Sequence, residues 1–88
     1  MLTEFTLSIL TEDGCVFEGP VDSIVVPGVD GYFGVQAHHA PLLAALGRGR
    51  LTVYARAAVH DYAVSGGFME VAHNRATLLA HEIHEVAS

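Results

Sequence analysis

Between Phe5 and Ala80 the apolar residues come in short runs, each cut off by a turn-forming pair, and this spacing constrains the fold most. Phe5, Leu7 and Ile9 alternate with Thr6 and Ser8, the pattern of a half-buried strand. Thr11-Glu12-Asp13-Gly14 reads as a turn, Cys15–Glu18 as a second strand stopped by Gly19-Pro20, and Val21–Val26 as a third. Leu51, Val53 and Ala55 oppose Thr52, Tyr54 and Arg56 along a later strand, answered after Ala57–Asp61 by Tyr62–Ser65. Gly66-Gly67 reads as a bulge or sharp bend, His73-Asn74 as a tight turn, and Ala76–Ala80 as another strand. The tail 81–88 is read as a fraying strand or a short helical end. Turn signals at intervals of about eight to twelve residues specify an all-β chain, a two-sheet β-sandwich of about eight to ten short strands. Residues 1–88 form one domain with no linker or repeat.

The central stretch runs from Val25 to Leu46, and its residues 31–47 are seventeen in a row without a formal charge. Gln36, His38, His39 and Pro41 interrupt it, so it is no membrane span. Asp30-Gly31 is the favoured pair for a hairpin turn. Beyond it Phe33 and Val35 point one way, and Tyr32, Gly34 and Gln36 the other. Gly34 is expected where another backbone comes close. Pro41 turns the chain into Leu42–Leu46, and Gly47-Arg48-Gly49-Arg50 is expected to form a flexible corner.

Composition bears on partners. Charged residues are 16% and mean hydropathy is +0.40, a lean polar allotment for so small a domain. Part of the apolar surface is therefore expected to be covered by a partner. Residues 1–47 carry six acids and no Lys or Arg, whereas residues 48–88 balance four Arg with four acids. An acidic half repels nucleic acid and anionic headgroups and favours a basic protein surface. The single Cys15 forms no internal disulfide, which fits a reducing compartment, and the amino terminus has no signal-peptide pattern.

No catalytic constellation is assigned. Phosphate-cradling glycine motifs are absent. His81-Glu82-Ile83-His84-Glu85 is one residue short of the zincin spacing, and on a strand His81 and His84 face opposite ways, so no metal and no cofactor is expected. Ser65, His60 and Asp61 supply the residue types of a triad without a nucleophile elbow. His38 and His39 either cap the turn before Pro41 or contact a partner from a loop, and Asp30-Gly31-Tyr32 is either turn geometry or an interface anchor.

Pro27-Gly28-x-Asp30-Gly31-x-x-Gly34-Val35 followed by His38-His39-Ala40-Pro41-Leu42-Leu43 resembles the signature of the epsilon subunit of F-type ATP synthases, more narrowly its amino-terminal β-sandwich domain. Ser65–Val71 and Ala76–Ala80 match the same family in the same order. The resemblance implies a non-catalytic rotor subunit in the central stalk, gripping the gamma subunit and resting on the c-ring, and so coupling ion translocation to ATP synthesis. It places the ring contact at Asp30, Gly31, Tyr32, His38 and His39. Tyr32 stands where many members have an acid, and His38 where a glycine is common. The implied location is peripheral, at the cytoplasmic face of the inner membrane, without direct insertion. Most members continue into an inhibitory, sometimes ATP-binding, helical hairpin, so the sequence ending at Ser88 is expected to be a short form. The alternative is a free-standing β-sandwich module binding a small ligand, or a metal at His73, His81 and His84.

Overall fold

The computed structural model describes residues 3–86; the ends of the first strand's leader and of the 81–88 tail, residues 1–2 and 87–88, lie outside the described residues. Seven strands follow in order: β1 (Phe5–Thr11), β2 (Gly14–Val21), β3 (Ser23–Gly28), β4 (Gly31–Gln36), β5 (Leu42–Ala55), β6 (Ala58–Ala72) and β7 (Arg75–Val86). They hydrogen-bond in the order β2-β1-β7-β6-β5-β3-β4, antiparallel throughout except for the β1–β7 pair. No helix occurs among the described residues, and none is long and apolar enough to cross a membrane.

Seven flat strands would make a single layer about 29 Å wide and one side chain thick. The molecule instead measures 34 × 26 × 24 Å, so the ladder folds over on itself into the two layers of a sandwich. Between them Leu7 and Ile9 of β1, Ile24 and Val26 of β3, Leu51 and Val53 of β5, and Leu78 of β7 are fully buried in one cluster. Truncating any of these to Ala is worth about 2–5 kcal/mol.

The expected eight to ten strands become seven because β5 and β6, at 14 and 15 residues, run through the glycines expected to interrupt them. Leu46 pairs with Gly67 and Arg48 with Ser65 in one register, so Gly66-Gly67 is a bend without a bulge. Gly67 sits at φ +129°, and a Cβ there would collide with the Leu79 carbonyl. The expected flexible corner at 47–50 is likewise strand, bulged against β3: five residues of β5 (47–51) face two of β3 between the pairs Val25–Thr52 and Gly28–Leu46.

Other boundaries shift for local reasons. Pro20 does not stop β2, because β2 is an edge strand and Pro20 pairs with Thr6 without disturbing an inner ladder. The hairpin turn is Val29-Asp30, closed by the pair Gly28–Gly31, one residue earlier than expected. Burial sets that register, since it seats Phe33 opposite Val26 and Val35 opposite Ile24. Gly34 has only an ordinary contact, 3.8 Å from the Ile24 carbonyl to an added Cβ, so the close approach expected there lies elsewhere. His73 and Asn74 both take positive φ, 54° and 58°, as a two-residue hairpin turn of the primed type requires. The tail is strand to Val86, pairing with Asp61.

Candidate docking surfaces

Two surfaces stand out, and the first contains the hairpin tip. β3 and β4 project Val29-Asp30, and the chain returns after the 37–41 turn to start β5 alongside. Between them lies an open groove of about 600 Å³ lined by Asp30, Gly31, Phe33, His39, Leu42 and Leu43 among others. Its rim carries Val29 and Leu43, 61% and 75% exposed, where an isolated domain has no use for them. The Val29 amide donates to the Ala45 carbonyl at 3.1 Å, which ties the tip to β5.

Of the five residues singled out in sequence, the structure brings Asp30, Gly31 and His39 together on this groove. His39 Nδ1 lies 2.7 Å from the Ala40 carbonyl, and a carbonyl only accepts, so Nδ1 carries the proton and Nε2 is left for another partner. His39 thus braces its turn and lines the groove at once. Tyr32 points to the opposite face of β4. Its hydroxyl accepts from the Arg50 amide at 3.0 Å. His38 is turned away at φ 63°, its amide donating to Asn74 Oδ1 at 2.7 Å. Asn74 also donates to the Glu4 carbonyl at 2.9 Å, so it joins three segments.

The second surface was not named residue by residue from sequence. Leu10, Leu79, Phe68 and Ala45 are successive cross-strand partners on β1, β7, β6 and β5. They form one apolar row on the outside of the sheet, with Phe68 60% and Leu79 51% exposed. Leu43 lies two residues from Ala45 on the same face, so the row runs on into the groove. The alternating pattern hid this row. A strand such as Phe68-Met69-Glu70-Val71 shows its buried residues, Met69 and Val71, as clearly as it shows Phe68.

The triad residue types are not assembled. Thr52 Oγ1 donates to Asp61 at 2.8 Å, His60 lies 3.5 Å from Glu85, and Ser65 stands five residues further along β6, about 16 Å away. Among the described residues, no group of three or more His, Cys, Asp or Glu is placed to hold a metal ion. A cleft of about 620 Å³ near the bends mixes Arg48, His81 and His84 with Glu12, Asp13 and Glu82, an arrangement with no single charge preference.

The family model described as "ATP synthase, Delta/Epsilon chain, beta-sandwich domain" matches residues 4–86. The chain belongs to that family. The ATP synthase epsilon chain of Salinibacter ruber is 41% identical over 93 aligned residues, covering 94% of this chain and 62% of the relative. That of Protochlamydia amoebophila is 46% identical, covering 93% of this chain and 56% of the relative. The chain thus spans roughly three-fifths of the curated relatives it matches. Among solved structures, a chain of the Euglena gracilis mitochondrial ATP synthase (OSCP/F1/c-ring) superposes with a TM-score of 0.89 at 24% identity, covering 97% of this chain and 55% of that one. A chain of the Tetrahymena thermophila central stalk and c-ring gives 0.76 at 16% identity, covering 90% and 64%. At those identities the likeness is one of fold. The hairpin groove and the apolar row together expose Val29, Leu43, Phe68 and Leu79, each more than half accessible.

Proposed function

We propose that this delta/epsilon-chain sandwich works as a non-catalytic part of the central stalk of an F-type ATP synthase. The apolar row at Leu10, Leu79, Phe68 and Ala45 seats against the gamma subunit. The groove with Asp30 and His39 meets the polar loops of the c-ring. One observation carries this: a fully packed core coexists with two large exposed apolar surfaces that meet at Leu43 and Ala45. A packed β core resists shear as a close-packed solid does, so a load applied at one surface is passed to the other. That is how the domain couples ion translocation to ATP synthesis without chemistry of its own.

Electrostatics support the assignment of the groove. All formal charge in residues 1–47 is negative, Asp30 sits at the tip, and a basic loop is the complement. Such a protein is peripheral, held at the cytoplasmic face of the membrane through the complex. The test is affinity purification of the tagged chain from detergent-solubilised membranes. Stoichiometric gamma and c subunits are the expected companions, and recovery of the chain alone would count against the role. A free-standing ligand-binding module is the second possibility, and only the mixed-charge cleft near Arg48 and His81 favours it. A saturable small-molecule ligand, with no affinity for gamma, would select it.

A further inference from the structure

Tyr32 stands beside the hairpin tip, yet its ring crosses back over β5. The ring lies against Gly49, where an added Cβ would come within 2.5 Å of the Tyr32 hydroxyl and 2.8 Å of Pro27 Cβ, so only glycine leaves room. The hydroxyl accepts from the Arg50 amide at 3.0 Å. Arg50 falls in the stretch of β5 that bulges out of register with β3, between the pairs Gly28–Leu46 and Val25–Thr52. Where the bulge takes Arg50 out of register with β3, a side chain from β4, reaching across β3, supplies the acceptor for its amide. Beyond the bulge the Val29 amide is tied to the Ala45 carbonyl. Besides the β3–β5 ladder, the hairpin is therefore tied to β5 by two further bonds, one inside the bulge at Arg50 and one beyond it towards the tip at Ala45.

We infer that Tyr32 is a positioning residue: by capping the Arg50 amide it sets the angle of the Val29-Asp30 tip against β5, and so holds Asp30, His39 and Leu43 at a fixed spacing for docking. This rests on the docking role proposed for the groove. It differs from an anchor role, because the tyrosine's hydroxyl is already engaged by a bond within the same chain. A tip that hinged at the bulge would absorb displacement, whereas a tip tied to the bulge itself and to β5 beyond it passes displacement on.

Amide hydrogen exchange by NMR on the isolated protein, combined with binding to a detergent-solubilised c-ring–gamma complex, tests this with three variants. Tyr32→Phe removes one hydroxyl and is expected to speed Arg50 exchange roughly threefold to tenfold while leaving core amides unchanged. Gly49→Ala, which displaces the ring while keeping the hydroxyl, is expected to do the same. Both are expected to weaken binding. Asp30→Lys is expected to weaken binding with Arg50 exchange unchanged. Unaltered Arg50 exchange in Tyr32→Phe would overturn the strut whatever the binding shows. Faster exchange with wild-type binding in Tyr32→Phe, while Asp30→Lys binds poorly, would overturn the positioning role alone. Wild-type binding by all three variants would overturn the groove as a docking site, and the positioning role with it.

Discussion

Phe68 on β6 and Leu79 on β7 are direct cross-strand partners, and both face solvent with more than half their surface exposed. Cross-strand apolar pairs stabilise a sheet, but an exposed pair recovers little of its burial energy. Here the pair continues on both sides, to Leu10 and to Ala45. On the proposed reading this row, four strands wide, is the side that meets gamma.

The hairpin groove predicts that Asp30→Lys combined with His39→Ala weakens assembly with the c-ring. Neither substitution touches the core, and His39→Ala gives up one exposed hydrogen bond to the Ala40 carbonyl, so the isolated domain is expected to lose no more than about 1.5 kcal/mol. Proton-driven ATP synthesis by a reconstituted complex is the check, and unchanged coupling would count against the groove.

Glu4 and Arg56 form a two-pronged pair, Nε to Oε2 at 2.7 Å and Nη2 to Oε1 at 3.2 Å, closing the start of β1 onto the β5–β6 turn. The hydrogen bond from Arg56 holds the Glu4 carboxyl below its ordinary value, with the guanidinium's charge adding to the effect and desolvation opposing it. A carboxyl lowered in the folded state stabilises above its unfolded value of 4.5 and loses that contribution as pH falls through the folded value. Arg56→Ala is therefore expected to lower the urea midpoint at pH 7 slightly, and the gap to wild type is expected to narrow as pH falls below 4.5. The gap should shrink in high salt, because the pair is exposed.

Tyr62 is buried, and that burial, followed by the Glu85 carboxylate, raises its phenol above the ordinary value of 10.0. The folded state binds this proton more tightly than the unfolded chain. The contribution is complete below pH 10 and is lost as pH rises from there through the folded value. Tyr62→Phe is expected to flatten the alkaline limb of a stability–pH curve. An alkaline limb identical to wild type would contradict this.

Gly67 combines positive φ with a carbonyl where a Cβ would go. Gly67→Ala must move β7 away or twist β6, and a loss of about 3 kcal/mol or more is expected in urea unfolding. Gly34→Ala, where an added Cβ meets only an ordinary 3.8 Å contact, is the control and should cost far less.

The all-β class, the alternation of β1 and β5, and the His73-Asn74 turn were legible because each depends on neighbours in sequence. Residues 47–50 and 66–67 misled because glycines that bend a strand look, locally, like glycines that end one. The ladder with β6 that carries β5 through its bend is formed by residues thirteen to twenty-one positions away, from Arg50–Ala63 to Leu46–Gly67. Pro20 misled for a similar reason, since edge position is a property of the whole sheet. Within the candidate site, Asp30, Gly31 and His39 were legible from turn chemistry and from the motif. The bond from Tyr32 across to Arg50 depends on a bulge in another strand and has no local signal. The same holds for the Leu10–Ala45 row, whose members converge from four separate segments.

The most direct test of the central claim is a calorimetric titration of the purified chain with the gamma subunit, repeated with Phe68→Ser/Leu79→Ser. Phe68 and Leu79 are already about half buried, so covering the rest is worth roughly half of the 1.5–3 kcal/mol for full burial, and the double variant should bind about 10-fold to 100-fold more weakly with only a modest loss of stability. Equal affinity for gamma in both proteins would contradict the account.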